Sequence, residues 1–242
     1  MNQSSVDRIK AEISTSEIKA TWSVITGNLD SLVYLPENFE WIGKSEFNVH
    51  SYSRDKDNIY DEIIDLDFSE FSDEKSYGIQ QIIYWTHSRL KLNYYALLGV
   101  PSIFLKGERL VNTSNTNDLK STYFRINLDK KIDKVKFDLL SSQNNNEYDL
   151  AYIETYTGIG LLFYAMNGIE MSIKDIESNG CLSINIGTHH EAKMGSDNLL
   201  QLSRVYICPY KIVKVNDFLS LHSHLLDSLG KYEKWVKDKE KE

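Results

Sequence analysis

Residues 72–98 read SDEKSYGIQQIIYWTHSRLKLNYYALL, and their periodicity decides the fold class. Within them Ile79, Ile82, Ile83, Leu90, Tyr94 and Leu97 recur at the three- and four-residue steps of a helix face, and Gly99 followed by Pro101 supplies a stop. The stretch predicts a long helix over 72–98, packed on a sheet. Upstream the pattern is thinner: Val6, Ile9 and Ile13 fit a short amphipathic helix, while Trp22, Val24 and Ile25 suit helix or strand.

Downstream the period drops to two. Ile103 and Leu105 share a face, Lys106-Gly107 reads as a turn, and Leu110 begins the return strand. Thr122, Phe124, Ile126 and Leu128 alternate with polar residues, as do Val135, Phe137 and Leu139, so Asp129-Lys130-Lys131 between them predicts a hairpin. An Asn-rich loop at 143–146 precedes Tyr148, Leu150 and Tyr152 in strand alternation. Apolar runs on either side of Asn167-Gly168 predict a second hairpin, because Asn-Gly tolerates the positive φ of a type I′ turn. Further strands are expected at 182–186 and 204–215. The chain closes on an apolar stripe at Phe218, Leu221, Leu225, Leu229, Tyr232 and Val236, which predicts a helix over 216–238.

Together these elements predict an α+β fold, with the long helix and the C-terminal helix packed on a mainly antiparallel sheet or sandwich. An apolar fraction of 41% and a charged fraction of 26% are those of an ordinary globular protein. Only Pro36, Pro101 and Pro209 occur, and no Gly/Ser tract marks a joint. A single domain over 1–242 is expected, helix-rich and acidic over 1–100, strand-rich over 101–215, and helical at the end.

The start Met1-Asn2-Gln3-Ser4-Ser5 has neither the basic residues nor the apolar run of a secretory signal, and no stretch approaches a membrane span. A cytosolic protein without a membrane partner is expected. Cys181 and Cys208, lacking a Cys-x-x-Cys spacing, read as reduced core thiols. The net charge of −8 disfavours nucleic acid, whose affinity comes largely from Lys and Arg replacing condensed counterions. Acidity concentrates over 55–74, where Asp57, Asp61, Asp65 and Asp67 form either a solvated face or a docking surface for a basic protein partner.

His189, His190 and Glu191 follow an expected strand, with Lys193 and Asp197 close behind. Imidazole and carboxylate can hold a metal or move a proton, so this loop is the candidate site of a metal-dependent hydrolase of nuclease or phosphatase type. Glu191-Ala192-Lys193 has the Glu-x-Lys form of a nuclease, and Asp65-Leu66-Asp67 the Asp-x-Asp form of a phosphatase. Neither follows the apolar strand that such chemistry needs. Asp55-x-Asp57 fails as a calcium loop, because Tyr60 stands where glycine is required. His222 falls on the apolar stripe of the last helix and reads as a hydrogen-bonded core histidine. Neither a Gly-rich phosphate loop nor a zinc signature is present, and no cofactor is expected.

Fifteen tyrosines remain to be explained, Tyr148, Tyr152 and Tyr156 among them. On a sheet face tyrosine offers a flat apolar body with a polar tip, suited to sugar stacking or to a protein interface. The leading expectation is a non-catalytic binding protein that engages a macromolecular partner. Its acidic surface would hold Asp57, Asp61, Asp65 and Asp67, and its tyrosine-bearing sheet Tyr148 and Tyr152. The hydrolase at His189, His190 and Glu191 is the alternative.

Overall fold

A computed structural model of the chain describes residues 3–42, 48–53, 63–85, 88–111, 119–128, 132–138, 150–155, 157–165, 171–176, 181–189, 199–202, 204–211 and 217–241. Strands β1 to β5 are Gln3–Val6, Lys10–Ser14, Ile18–Ser23, Leu29–Tyr34 and Phe39–Glu40, and β6 is Asn48–Ser53. Strands β7 to β10 are Ile63–Ser72, Ser76–Trp85, Ser88–Leu97 and Ile103–Val111. Next come β11 (Leu119–Leu128), β12 (Ile132–Asp138), β13 (Leu150–Thr155), β14 (Ile159–Ala165) and β15 (Met171–Ile176). The last strands are β16 (Cys181–His189), β17 (Leu199–Gln201) and β18 (Val205–Lys211), and helix α1 is Asp217–Lys239.

Three sheets result. One takes β1 to β5 in order, and a second runs β15-β16-β11-β6. The third has nine strands in the order β12-β13-β14-β18-β10-β9-β8-β7, with β17 also pairing β10. Every ladder among the described residues is antiparallel. The expected antiparallel sheet and the closing helix are present; the rest of the α+β assignment is not. The molecule is nearly all sheet, and residues of 1–100 expected to be helical are strands.

The long helix over 72–98 is instead the pair β8 and β9, with Gln80 opposite Asn93 and Gly78 opposite Tyr95. Tyr77, Ile79, Gln81, Ile83 and Trp85 are buried, which is strand alternation. Two residues disguise it. Gln81 sits on the buried face, where its Nε2 donates to the Gly27 carbonyl at 3.0 Å and its Oε1 accepts from the Tyr94 hydroxyl at 3.1 Å. Ile82, on the opposite face, is only half-buried. Exchanging one polar and one apolar residue between faces turns a two-residue period into an apparent helical one.

Nor is Lys106-Gly107 a turn, since β10 runs straight through it. A Cβ on Gly107 would lie 2.8 Å from Leu202 Cδ1 and 2.9 Å from Leu92 Cδ2, so glycine is there for close packing. The two expected hairpins fail for a shared reason: β11 and β12 belong to different sheets, as do β14 and β15. The turn residues 129–131 and 167–168 lie outside the described residues. The N-terminal stretch expected as a short helix is β1 and β2.

Both faces of the nine-stranded sheet are covered. Ile79, Ile83, Leu90, Leu92, Tyr94, Ile103, Leu161 and Phe163 join Ala11, Ile13, Ile18, Leu32 and Trp41 of the N-terminal sheet in one core. The Tyr77 hydroxyl fastens the two sheets by donating to the Ser14 carbonyl at 3.0 Å. On the outer face Tyr95, Phe104, Leu162, Tyr206 and Cys208 pack against Leu225 and Leu229 of α1. Cys208 is a buried free thiol whose pKa burial pushes up, so it is inert as a nucleophile. Among the described residues no helix is long and apolar enough to cross a membrane.

Candidate functional site

Between α1 and the sheet a cleft of about 340 Å³ opens, lined by Gln80, Asn93, Tyr95, Lys106, Arg204, Tyr232, Glu233 and Lys237 together with Phe71, Val236 and Glu240. Register assembles its floor. Ser69, Gln80, Asn93 and Lys106 stand opposite one another across β7, β8, β9 and β10, and opposed residues project to the same face. Gln80 Nε2 donates to Asn93 Oδ1 at 2.9 Å. Among the described residues the Asn93 N–H groups and the Gln80 carbonyl have no further partner, so one amide pair offers two donors and an acceptor to a ligand.

The adjoining row places Gly78 between Phe71 and Tyr95. Tyr95 stacks on Phe104 with centroids 5.5 Å apart and meets Tyr232 at 5.7 Å, so aromatic rings close one end of the cleft. Burial raises the phenol pKa of both tyrosines, Tyr232 to about 12, and each remains a neutral hydroxyl at physiological pH.

Helix α1 is clasped by the turn between β7 and β8. Asp73 Oδ2 accepts from the Tyr232 hydroxyl at 2.9 Å and from Ser76 Oγ at 2.8 Å, while its Oδ1 accepts from the N–H groups of Lys75 and Ser76. Burial raises the Asp73 pKa, but these hydrogen bonds outweigh it and hold the carboxyl below its ordinary value. The Trp235 ring has Lys75 over it at 5.0 Å and Lys239 at 4.7 Å, and Lys239 pairs with Glu74 at 2.6 Å. Arg204 pairs with Glu233, and both side chains line the cleft.

His222, 7% exposed, anchors the other end of α1: its Nδ1 lies 2.5 Å from the Tyr206 hydroxyl and its ring meets Tyr164 edge-on at 4.5 Å. The core-histidine expectation holds. Burial lowers its pKa below 6.5, so the unfolded chain takes up a proton more readily than the folded one. This contribution to stability is complete above pH 6.5 and is lost as pH falls through the folded-state value. Urea unfolding at pH 7.5 and pH 5 is expected to show wild type weakening and His222→Gln lacking that component. Equal pH dependence in both would remove His222 from the account.

The residues singled out in the sequence are scattered. Asp65 and Asp67 are exposed on β7, an edge strand, opposite Tyr84 and Ile82. Charges on an edge discourage pairing with another chain. Tyr152 lies on β13, six strands away across the sheet, roughly 29 Å at 4.8 Å per strand. His189 ends β16, opposite Ser121. His190, Glu191, Asp57, Asp61 and Tyr148 lie outside the described residues. Among the described residues no group of three or more His, Cys, Asp or Glu side chains could hold a metal.

No family model and no curated protein sequence matches the chain. Solved structures do. The α-N-acetylgalactosaminidase NagBb from Bifidobacterium bifidum, in complex with GalNAc, superposes with a TM-score of 0.68 at 6% identity, covering 90% of this chain and 39% of the enzyme. The heparan sulfate lyase HepC from Pedobacter heparinus gives 0.56 at 8% identity, covering 88% of this chain and 37% of the lyase. A mutarotase-like protein from Salmonella typhimurium, YeaD, gives 0.53 at 8% identity, covering 88% of this chain and 96% of its own. The chain thus spans about two fifths of the first two proteins, and at these identities the likeness is one of fold: a layered antiparallel β-sandwich shared with all three.

Proposed function

We propose that this chain is a non-catalytic carbohydrate-binding module whose ligand lies in the cleft between α1 and the outer face of the nine-stranded sheet. The observation that carries the reading is the Gln80–Asn93 amide pair, set in a cleft that Tyr232 also lines. A pyranose presents neighbouring hydroxyls, which planar amides grip by paired hydrogen bonds. The cleft volume falls within the roughly 300–1,000 Å³ of small-molecule sites. All three proteins sharing the fold carry names from sugar chemistry, which favours a saccharide over the basic protein partner expected from charge. The acidic run is a poorer docking surface than its composition suggests, because Asp65 and Asp67 share their face with Arg89 and Lys91 on the neighbouring strands.

Calorimetric titration with mono- and oligosaccharides tests this. Binding is expected, and Gln80→Ala with Asn93→Ala is expected to weaken it roughly tenfold or more, the loss of one or two net hydrogen bonds. Circular dichroism checks that the variant keeps its sheet. Absence of binding to any saccharide at millimolar concentration, or equal binding by the variant, would sink the reading.

A further inference from the structure

We infer that the sugar taken by the cleft is an acidic one, carrying a carboxylate or a sulfate; this rests on the saccharide reading above. The chain as a whole has a net charge of −8, yet the cleft is lined by three cations, Lys106, Arg204 and Lys237, against two carboxylates, Glu233 and Glu240. The two lysines are uncommitted: among the described residues neither Lys106 nor Lys237 makes an ion pair, whereas Lys239 pairs with Glu74 and Lys231 with Asp227 on the same helix. They also come from opposite walls, Lys106 from β10 in the floor and Lys237 from α1. An anion seated between them is met from both sides.

Arg204 adds a planar fork. Its guanidinium is held at the cleft by Glu233, with the two side chains 36% and 26% exposed, so it is oriented without being sealed off. Glu233 takes a single contact from this guanidinium, through Arg204 Nη1, and a carboxylate or sulfate on the ligand can accept from the remaining N–H groups while the two ammonium groups complete the cage. The protein's overall negative field opposes any approaching anion, so selectivity falls to these near charges. They act within about 8 Å at physiological ionic strength. A neutral sugar keeps the amide contacts and leaves Lys106 and Lys237 solvated, gaining nothing from them.

The test titrates the full chain with three probes matched in length and linkage: a galacturonic-acid trisaccharide, the neutral galactose trisaccharide and its sulfated form. At low salt at least one acidic probe is expected to bind about tenfold more tightly than the neutral one, and the advantage should shrink as salt rises. The tighter acidic arm identifies the charged group. Lys106→Gln with Lys237→Gln should bring the acidic-to-neutral ratio down about tenfold, the effect of two partly exposed ion pairs, and Glu233→Gln should raise it about threefold. Equal affinity for acidic and neutral probes, or a preference untouched by the lysine substitutions, overturns the inference while leaving the carbohydrate module standing. Failure of all three probes, together with every other saccharide, overturns both.

Discussion

Leu225→Ala is expected to lower the unfolding free energy by about 3 kcal/mol, and to weaken saccharide binding although Leu225 touches no part of the cleft. Its side chain is fully buried beneath α1, among Phe104, Leu162, Tyr206 and Leu229. Shortening it leaves a cavity in a layer one helix thick, with little neighbouring structure to collapse into it. The helix cannot hold itself: 23 residues span roughly 35 Å, but isolated helices are marginal in water and depend on tertiary packing of one face. Tyr232, Glu233 and Lys237, which form the cleft wall, follow Leu225 by two to three turns. Loosening the anchor therefore makes the wall pay an ordering cost whenever a ligand binds. Urea unfolding and calorimetry on the same preparation check both halves. A destabilised protein that still bound sugar with full affinity would mean that α1 is not the wall that matters.

The strands of 101–215 were legible because most alternate cleanly, and the last helix because its stripe mixes three- and four-residue steps over about five turns. Residues 72–98 were not, because Gln81 is satisfied inside the core by Gly27 and Tyr94 while Ile82 lies half-buried outside. Burial on both faces added to the confusion: Tyr94 and Tyr95 are neighbours in sequence, yet one packs toward the N-terminal sheet and the other toward α1. Turn chemistry marked where the chain bends without marking where it lands. After β11, and again after β14, the next strand belongs to another sheet.

The site was harder to read than the fold. Ionisable residues crowded together, such as the acidic run over 55–74 or His189-His190-Glu191, stand out in a sequence whatever they do. The cleft residues do not, because Gln80, Asn93, Lys106, Arg204 and Tyr232 come from three strands, the approach to a fourth and the helix. Only strand register brings them together. Pairing β8 with β9 makes Gln80 and Asn93 facing amides, in a row that also holds Ser69 and Lys106.

Gly78→Val is expected to cost about 3 kcal/mol or more and to abolish saccharide binding, the largest effect of any single change near the cleft. A Cβ at this position would lie 2.2 Å from the Tyr94 carbonyl oxygen, 2.9 Å from Tyr95 Cα and 2.7 Å from Phe71 Cζ. Two of those three atoms are backbone of the partner strand, so no rotamer change relieves the contact; β8 and β9 must move apart. The displacement falls two residues from the Gln80–Asn93 pair, whose 2.9 Å hydrogen bond is set by the same ladder. It also shifts Tyr95, whose ring meets Tyr232. Gly78→Ala brings the same first contact with a smaller side chain and is expected to cost about 2 kcal/mol, within the ordinary range for overpacking. Denaturant midpoints for the two variants should therefore fall in the order wild type, alanine, valine, with binding lost in the same order. A valine variant as stable as wild type would show that the two strands are not held as close here as the register requires.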